Sequence, residues 1–354
     1  SGAWTVFPFW RFGERIARTC ALCPQTATLV EAIPGMVTAG FSRLAPGTHI
    51  RPHCGYTDAV WRCHLGLTET DQCGLRVGDD TRSWVPPFQY GTDPENREAS
   101  YFLSANRNKK SVCIDMASSR GQEIIRELAR TSDVVVENFK TGGLAKYGLD
   151  ADSLRRSHPG LIYCSITGFG QTGPYAALPG YDLLIQAMGG LMSVTGVPDG
   201  QPGAGPMKVG VALVDILTGL YAANAIQAAL LHRERTGEGQ VIDVALLDTL
   251  VAAMANQSQG FLATGESPGR MGNAHPSIVP YDVFPTADGH IVLAVGNDLQ
   301  FADLCQRIGL ARLPEDTRYA TNAARVTNRA ELTGILSERL TSASTAHWLD
   351  LLKG

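Results

Sequence analysis

Two short apolar runs constrain the fold of this chain more than any other feature. Asp133-Val-Val-Val-Glu-Asn138 and Leu161-Ile-Tyr-Cys-Ser-Ile166 read as buried strands, and Asp150–Arg156 between them reads as a short helix. Strand, helix, strand at this spacing gives a βαβ unit and hence a parallel sheet. An amphipathic helix is expected over Gly121–Arg130, just before the first run. The turn Gly168-Phe-Gly-Gln-Thr-Gly-Pro174 follows the second run. It lacks the lysine of a P-loop and does not read as a dinucleotide fingerprint.

Val211–Arg235 reads as one long helix rich in small residues, with Asp215 in its first turns among Ala212, Leu213, Val214, Ile216 and Leu217. A carboxylate in so apolar a stretch is costly unless it is paired or chemically used. The alternative is structural: an aspartate at a helix start can satisfy the open backbone N–H groups there.

The first hundred residues differ in kind. Alternation over residues 36–66 predicts strands, with Arg62 and His64 on one face and a turn at Pro46-Gly47. Five of the eight cysteines lie here: Cys20, Cys23, Cys54, Cys63 and Cys73. Cys20-Ala-Leu-Cys23 has zinc-knuckle spacing, but the remaining candidate ligands are irregular, which favours free or structural thiols. Val85–Ser100, Pro-rich and polar, reads as a linker or surface loop. With 44% hydrophobic and 18% charged residues and a net charge of -4, the composition is that of a globular protein with no basic surface for nucleic acid. No apolar run approaches the ~20 residues that span a bilayer, so no membrane association is expected.

Gly47-Thr-His-Ile-Arg-Pro-His-Cys-Gly55, Trp61-Arg-Cys-His-Leu-Gly-Leu67 and Cys73-Gly-Leu-Arg-Val-Gly-Asp-Asp-Thr-Arg-Ser-Trp84 resemble the aspartyl/asparaginyl β-hydroxylase family. That resemblance implies an iron and 2-oxoglutarate oxygenase on an all-β double-stranded β-helix (jelly roll). His53 would be an iron ligand, and Ser42, Arg62 and His64 would contact 2-oxoglutarate. Imidazole suits Fe(II), and a guanidinium fork suits a carboxylate. The family's second iron histidine belongs to a strand after the Trp84 region that is not found here. The implied metal site is therefore a half-site, and Fe(II) and 2-oxoglutarate are expected only if this part is completed.

Asn106-Arg-Asn-Lys-Lys-Ser111, Val136-Glu-Asn-Phe139, Gly180-Tyr-Asp182, Val211-Ala-Leu-Val-Asp-Ile-Leu-Thr-Gly-Leu-Tyr-Ala222 and Thr236-Gly-Glu-Gly-Gln240 occur in the order found in the class III CoA-transferases. The chain resembles that family from about Gly78 onward. Gly272-Asn-Ala-His-Pro-Ser-Ile-Val-Pro-Tyr281 and Thr327-Asn-Arg329 are most similar to its succinate–hydroxymethylglutarate (glutarate) branch. The resemblance implies a Rossmann-like α/β domain, incomplete at both ends, and coenzyme A as the acyl-CoA substrate with no metal needed. It implies Asp215 as a covalent nucleophile that passes through an acyl anhydride and an aspartyl-CoA thioester. Asn138, Phe139, Lys140 and Lys146 would contact CoA. Backbone N–H groups at Gly272 and Asn273 would face the oxyanions; His275, which follows that loop, is a candidate to meet the acyl carboxylate, with a plain structural or surface histidine as the alternative. Tyr181 stands where racemases of this fold carry a histidine. A phenol is a poor proton acceptor at neutral pH, so transfer is favoured over racemisation. Asp182 would contact CoA or hold its loop. Family members are homodimers of interlocked chains, placed in mitochondria or cytoplasm.

The expected organisation is a hydroxylase-like β-fragment over 1–84, a linker over 85–100, and a transferase domain over 101–354. Within the last, a large part runs to about 230 and a smaller one covers about 270–335. Val77–Trp84 fits both families, which suggests a recombined or misassembled joint. The leading function is CoA transfer between small dicarboxylic acids. Behind it stand a hydroxylase activity from the first part, an inactive fusion remnant and, last, an acyl-CoA racemase.

Overall fold

The computed structural model describes residues 4–11, 14–15, 17, 39–44, 81, 88–90, 97–106, 109, 112 and 114–353. The chain divides into two units, Ser1–Ile114 and Asp115–Gly354.

In the first unit, β1 (Trp4–Arg11), β2 (Glu14–Arg15) and β3 (Ala39–Leu44) form an antiparallel sheet in the order β2-β1-β3. β1 is built from aromatic and β-branched residues suited to a pleated surface. Its register against β3 shifts between Pro8 and Trp10, next to a proline that has no N–H to give the ladder. β4 (Phe88–Tyr90) and β5 (Arg97–Ala99) pair antiparallel, and α1 (Ser100–Ala105) follows directly. The expected linker over 85–100 therefore carries a hairpin. Three-residue strands are too short to alternate visibly among prolines. The strand expectation over 36–66 is met at β3, where Ser42 lies opposite Val6. His53, Arg62, His64 and the Cys20–Cys23 pair lie outside the described residues. Among the described residues of this unit the strands form these two small sheets, and the rest of the expected jelly-roll fragment lies outside the described residues.

In the second unit, α2 (Ser119–Arg130) opens on Ser118, whose hydroxyl accepts from Gly121 N at 3.0 Å, an ordinary serine N-cap. Then come β6 (Val134–Glu137), α3 (Ala151–Ser157) and β7 (Ile162–Thr167), the expected βαβ unit. α4 (Asp182–Met188), α5 (Leu191–Val194) and α6 (Leu213–Thr236) lead to β8 (Val241–Ala245). The sheet is parallel, in the order β6-β7-β8. Leu144, Leu149, Leu154, Leu161 and Tyr163 fill one core region, and the Tyr163 hydroxyl donates to Leu149 O at 3.1 Å. The small residues of α6 have a clear purpose: Ala222 packs with Cys164 of β7 and Val244 of β8, so helix and sheet approach closely. Gly237, at φ +78°, ends the helix in the left-handed cap that glycine adopts without strain.

α6 has 24 residues, and an 18-residue stretch of it has a mean hydropathy of 1.4, so by length and composition alone it is long and apolar enough to cross a membrane. Val214, Thr218, Ala222 and Ala229 are buried, while Ile216, Leu220, Tyr221 and Leu231 are exposed.

α7 (Leu246–Ala253) and α8 (Ala255–Thr264) precede the smaller part. There β9 (Tyr281–Pro285) pairs antiparallel with β10 (His290–Ala294), and α9 (Asp298–Arg307), α10 (Asn322–Thr327), α11 (Arg329–Leu340) and α12 (Thr345–Leu352) follow. Phe284, Leu293, Phe301, Leu336 and Trp348 share one core. At its centre Arg325 is fully buried. It donates to Val279 O at 2.7 Å and Tyr319 O at 3.0 Å, pairs with Asp298 at 2.8 Å, and lies over the Phe301 ring.

Candidate active site

Asp215 sits in the first turn of α6, whose N-cap is Ala212, a residue with no side chain able to cap. The cap comes instead from another helix. Asp182, in the first turn of α4, accepts from Val214 N at 2.8 Å and from Asp215 N at 3.4 Å through one carboxylate oxygen. Its other oxygen accepts from Gln186 Nε2 at 2.6 Å. Gln186, fully buried, in turn accepts from Val209 N at 2.9 Å. The backbone donors that a structural Asp215 would have served are thus held by Asp182. This leaves the exposed Asp215 carboxylate pointing to another use.

Backbone contact fixes where Asp182 stands. Gly168, after β7, and Gly180, just before Tyr181, pack so closely that a Cβ on either would overlap the other's Cα. The Gly168 carbonyl also accepts from Leu247 N at 3.1 Å. Beneath α4 and α6, Ile185, Val214, Leu246, Leu250 and Met254 form an apolar cluster. The Asp215 carboxyl is held above the usual carboxylate range, first because these surroundings partly strip it of water and second because Asp182 places negative charge beside it. A more basic carboxylate is a stronger nucleophile once ionised.

The other expected residues fall into separate groups. Asn138, Phe139 and Lys140 are consecutive and exposed just after β6. Phe139 N donates to the Glu137 carboxylate at 2.7 Å, and Phe139 borders a 220 Å³ apolar cavity with Met116, Ile125, Val136 and Leu144. Lys146 is exposed, its ammonium 4.7 Å from the Tyr147 ring centroid. Tyr181 is exposed at the N-cap of α4. Gly272 and Asn273 form an exposed turn closed by Ala274 N to Met271 O at 3.1 Å, with Gly272 at φ +63°. Arg270, just before this turn, donates to Val197 O at 3.2 Å and pairs with Asp199. His275 Nδ1 accepts from Ser277 N at 3.1 Å, and its ring packs on Tyr281. Among the described residues, no hydrogen bond or ion pair joins Asp215 to the Gly272–Asn273 turn or to the Asn138–Lys140 segment. Among the described residues, Asp215 and Asp182 are the expected residues from separate segments that a hydrogen bond joins.

Sequence reasoning missed Gln186 and the capping role of Asp182. Their i,i+4 spacing on α4 was the available signal. Replacing Asp182 by Ala is expected to destabilise the chain by about 1–2 kcal/mol through loss of a charged helix cap, read by chemical denaturation. Asp182→Asn keeps an acceptor and removes the charge. It is expected to lower the Asp215 pKa and shift the acid limb of the activity profile to lower pH.

The second unit is thus an α/β fold with a parallel sheet and an exposed carboxylate at a helix start, and the comparisons narrow its class. The chain belongs to CoA-transferase family III, whose model matches residues 75–354. Residues 1–87 match the aspartyl/asparaginyl beta-hydroxylase model, so 75–87 are matched by both. A succinate–glutarate CoA-transferase of Agrobacterium fabrum is 56% identical over 260 residues, covering 73% of this chain and 64% of that protein. A succinyl-CoA:glutarate CoA-transferase of Mus musculus is 47% identical over 278 residues, covering 78% and 62%. The chain therefore spans under two thirds of the length of these curated relatives. A CAIB/BAIF family protein from Brucella suis, solved by crystallography, is 52% identical with a TM-score of 0.65, covering 77% of this chain and 71% of that one.

Proposed function

We propose that this chain carries the catalytic core of a transferase that moves CoA between small dicarboxylic acids, with Asp215 as the nucleophile. The observation that carries this reading is the Asp215 carboxylate, exposed and made more basic at a helix start that Asp182 has already capped. A carboxylate oxygen of Asp215 attacks the thioester carbonyl of the donor acyl-CoA. The C–S bond breaks and CoA leaves as a thiolate, giving an acyl-aspartyl anhydride. The thiolate then attacks the aspartyl carbonyl, releasing the donor acid and leaving an aspartyl-CoA thioester. The acceptor carboxylate attacks that thioester, and the same two steps run in reverse. One thioester is exchanged for another, so the electrons balance without an oxidant or ATP. Asn138, Phe139, Lys140 and Lys146 are assigned to CoA, and the Gly272 and Asn273 N–H groups to the oxyanions. His275 is assigned to the acyl carboxylate, with Nε2 left to donate once Nδ1 accepts from Ser277. Succinate and glutarate, named for the two relatives, are the first acids to try.

The exposed apolar side chains of α6, with Ile216, Leu220 and Tyr221 within two turns of Asp215, support a homodimer in which a second copy covers this helix. Light scattering at micromolar concentration is expected to give twice the 37.9 kDa chain mass. A monomer would count against this assembly. Residues 1–87 enter no step of the reaction, and the double match at 75–87 supports a recombined or misassembled joint. A single continuous source transcript across residues 60–110 would contradict misassembly. Mitochondrial or cytoplasmic placement follows from family resemblance alone.

A further inference from the structure

Glu137 ends β6, Ser165 lies near the end of β7, and Asp243 lies in β8. The sheet register puts Glu137 opposite Ser165 and Ser165 opposite Asp243. Three polar residues thus form one row across all three strands, between apolar rows that include Val136, Cys164 and Ile242. Side chains at paired positions of neighbouring strands project to the same face. The row is hydrogen-bonded from end to end. Ser165 Oγ donates to Glu137 Oε1 in a short bond. Gln171 Nε2, from the glycine-rich turn, donates to Ser165 Oγ at 2.7 Å. Gln171 N donates to Asp243 Oδ2 at 2.9 Å. The remaining Glu137 oxygen accepts from Phe139 N at 2.7 Å. Each partner satisfies the next, which is the condition under which a polar network can be held among apolar neighbours.

Ser165 is buried, Glu137 half-buried and Asp243 exposed, so the row runs from the core out to the loops, and its continuous bonding asks for a reason beyond core packing. Its two ends supply one: it reaches the backbone of Phe139 on one side and the glycine-rich turn on the other. Both lie past the carboxyl ends of parallel strands, where open α/β sheets bind ligands.

We infer that Glu137, Ser165, Gln171 and Asp243 are positioning residues that lock the Asn138–Lys140 segment and the 168–174 turn in the geometry that receives CoA. This rests on the CoA reading given above. The four act through the loops they hold and take no part in the chemistry at Asp215. Their loss weakens CoA binding while the acyl exchange proceeds at its usual rate.

The test uses the full chain, calorimetric titration with free CoA, and steady-state kinetics with succinyl-CoA and glutarate. Gln171 is a half-buried turn residue, so Gln171→Ala keeps the sheet intact. Glu137→Gln keeps size and removes charge. Each variant is expected to weaken CoA binding on the order of tenfold, as loss of a charge-assisted or doubly bonded contact implies. The double variant is expected to be little weaker than either single one, because both break one continuous chain of bonds. KM for the acyl-CoA should rise while kcat stays within about twofold, the pattern of lost uniform binding. Wild-type affinity in both variants, or a kcat loss at unchanged KM, would overturn the positioning role and leave the CoA reading standing. A wild-type chain that binds no CoA would instead overturn the CoA reading, and the positioning role with it.

Discussion

Replacing Asp215 by Ala is expected to abolish CoA transfer, lowering the rate by at least about a thousandfold, because no other group replaces a covalent nucleophile. The helix around it is expected to survive, since Asp182, not Asp215, holds the N–H groups of Val214 and Asp215. Asp215→Asn sharpens the distinction between a chemical and a structural role. The folded chain raises the Asp215 pKa, so folding favours its protonated form. The associated stability is fully present below the ordinary carboxylate pKa and is lost as pH rises through the raised value. At neutral pH the ionised side chain is therefore a burden on the fold. Asn removes it, and the midpoint of thermal unfolding at pH 7 should rise, by no more than about 2 °C because solvent screens so exposed a group. The gain should vanish as pH falls below the ordinary carboxylate range. A variant dead in catalysis yet slightly more stable fits a nucleophile; a variant both dead and strongly destabilised would assign Asp215 to structure.

The second large effect is on the fold. Arg325→Leu is expected to cost about 3 kcal/mol, since the buried carbonyls of Val279 and Tyr319 lose their donors and neither is reachable by water without opening the core. Asp298 contributes less to this loss, because its carboxylate is half exposed and regains water. The midpoint of thermal unfolding should fall by roughly 6–12 °C. The damage should centre on the core of Phe284, Phe301, Leu336 and Trp348, where amide exchange is expected to quicken. An unchanged midpoint would show that the carbonyls find other donors.

The parallel sheet was legible because Val134–Val136 and Ile162–Ile166 are continuous apolar runs with a short helix between them, a pattern few other folds accept. α6 was legible in extent, and Asp215 stood out within it as the one acid among aliphatic neighbours. What surrounds Asp215 was not legible. The capping of α6 by Asp182 joins residues 32 positions apart, and no local pattern records such a contact. The polar row Glu137–Ser165–Asp243 could be read only after the strands were put in register. Phe88–Tyr90 and Arg97–Ala99 passed for linker because three-residue strands leave no period. The burial of Arg325 was not legible, since residue type alone gives no warning that the Val279 and Tyr319 carbonyls converge on it. That Trp348 joins the core of Phe284 and Phe301 was not legible either, because it sits in a helix separated from the rest of that core by a turn.

One measurement bears most directly on the central assignment. The purified chain is incubated with succinyl-CoA, quenched with hydroxylamine, digested and examined by mass spectrometry, beside Asp215→Ala. The account predicts a hydroxamate on the peptide that contains Asp215, present in the wild-type chain and absent from the variant. A folded wild-type chain that gives no adduct on Asp215, or the same adduct in the variant, would contradict it.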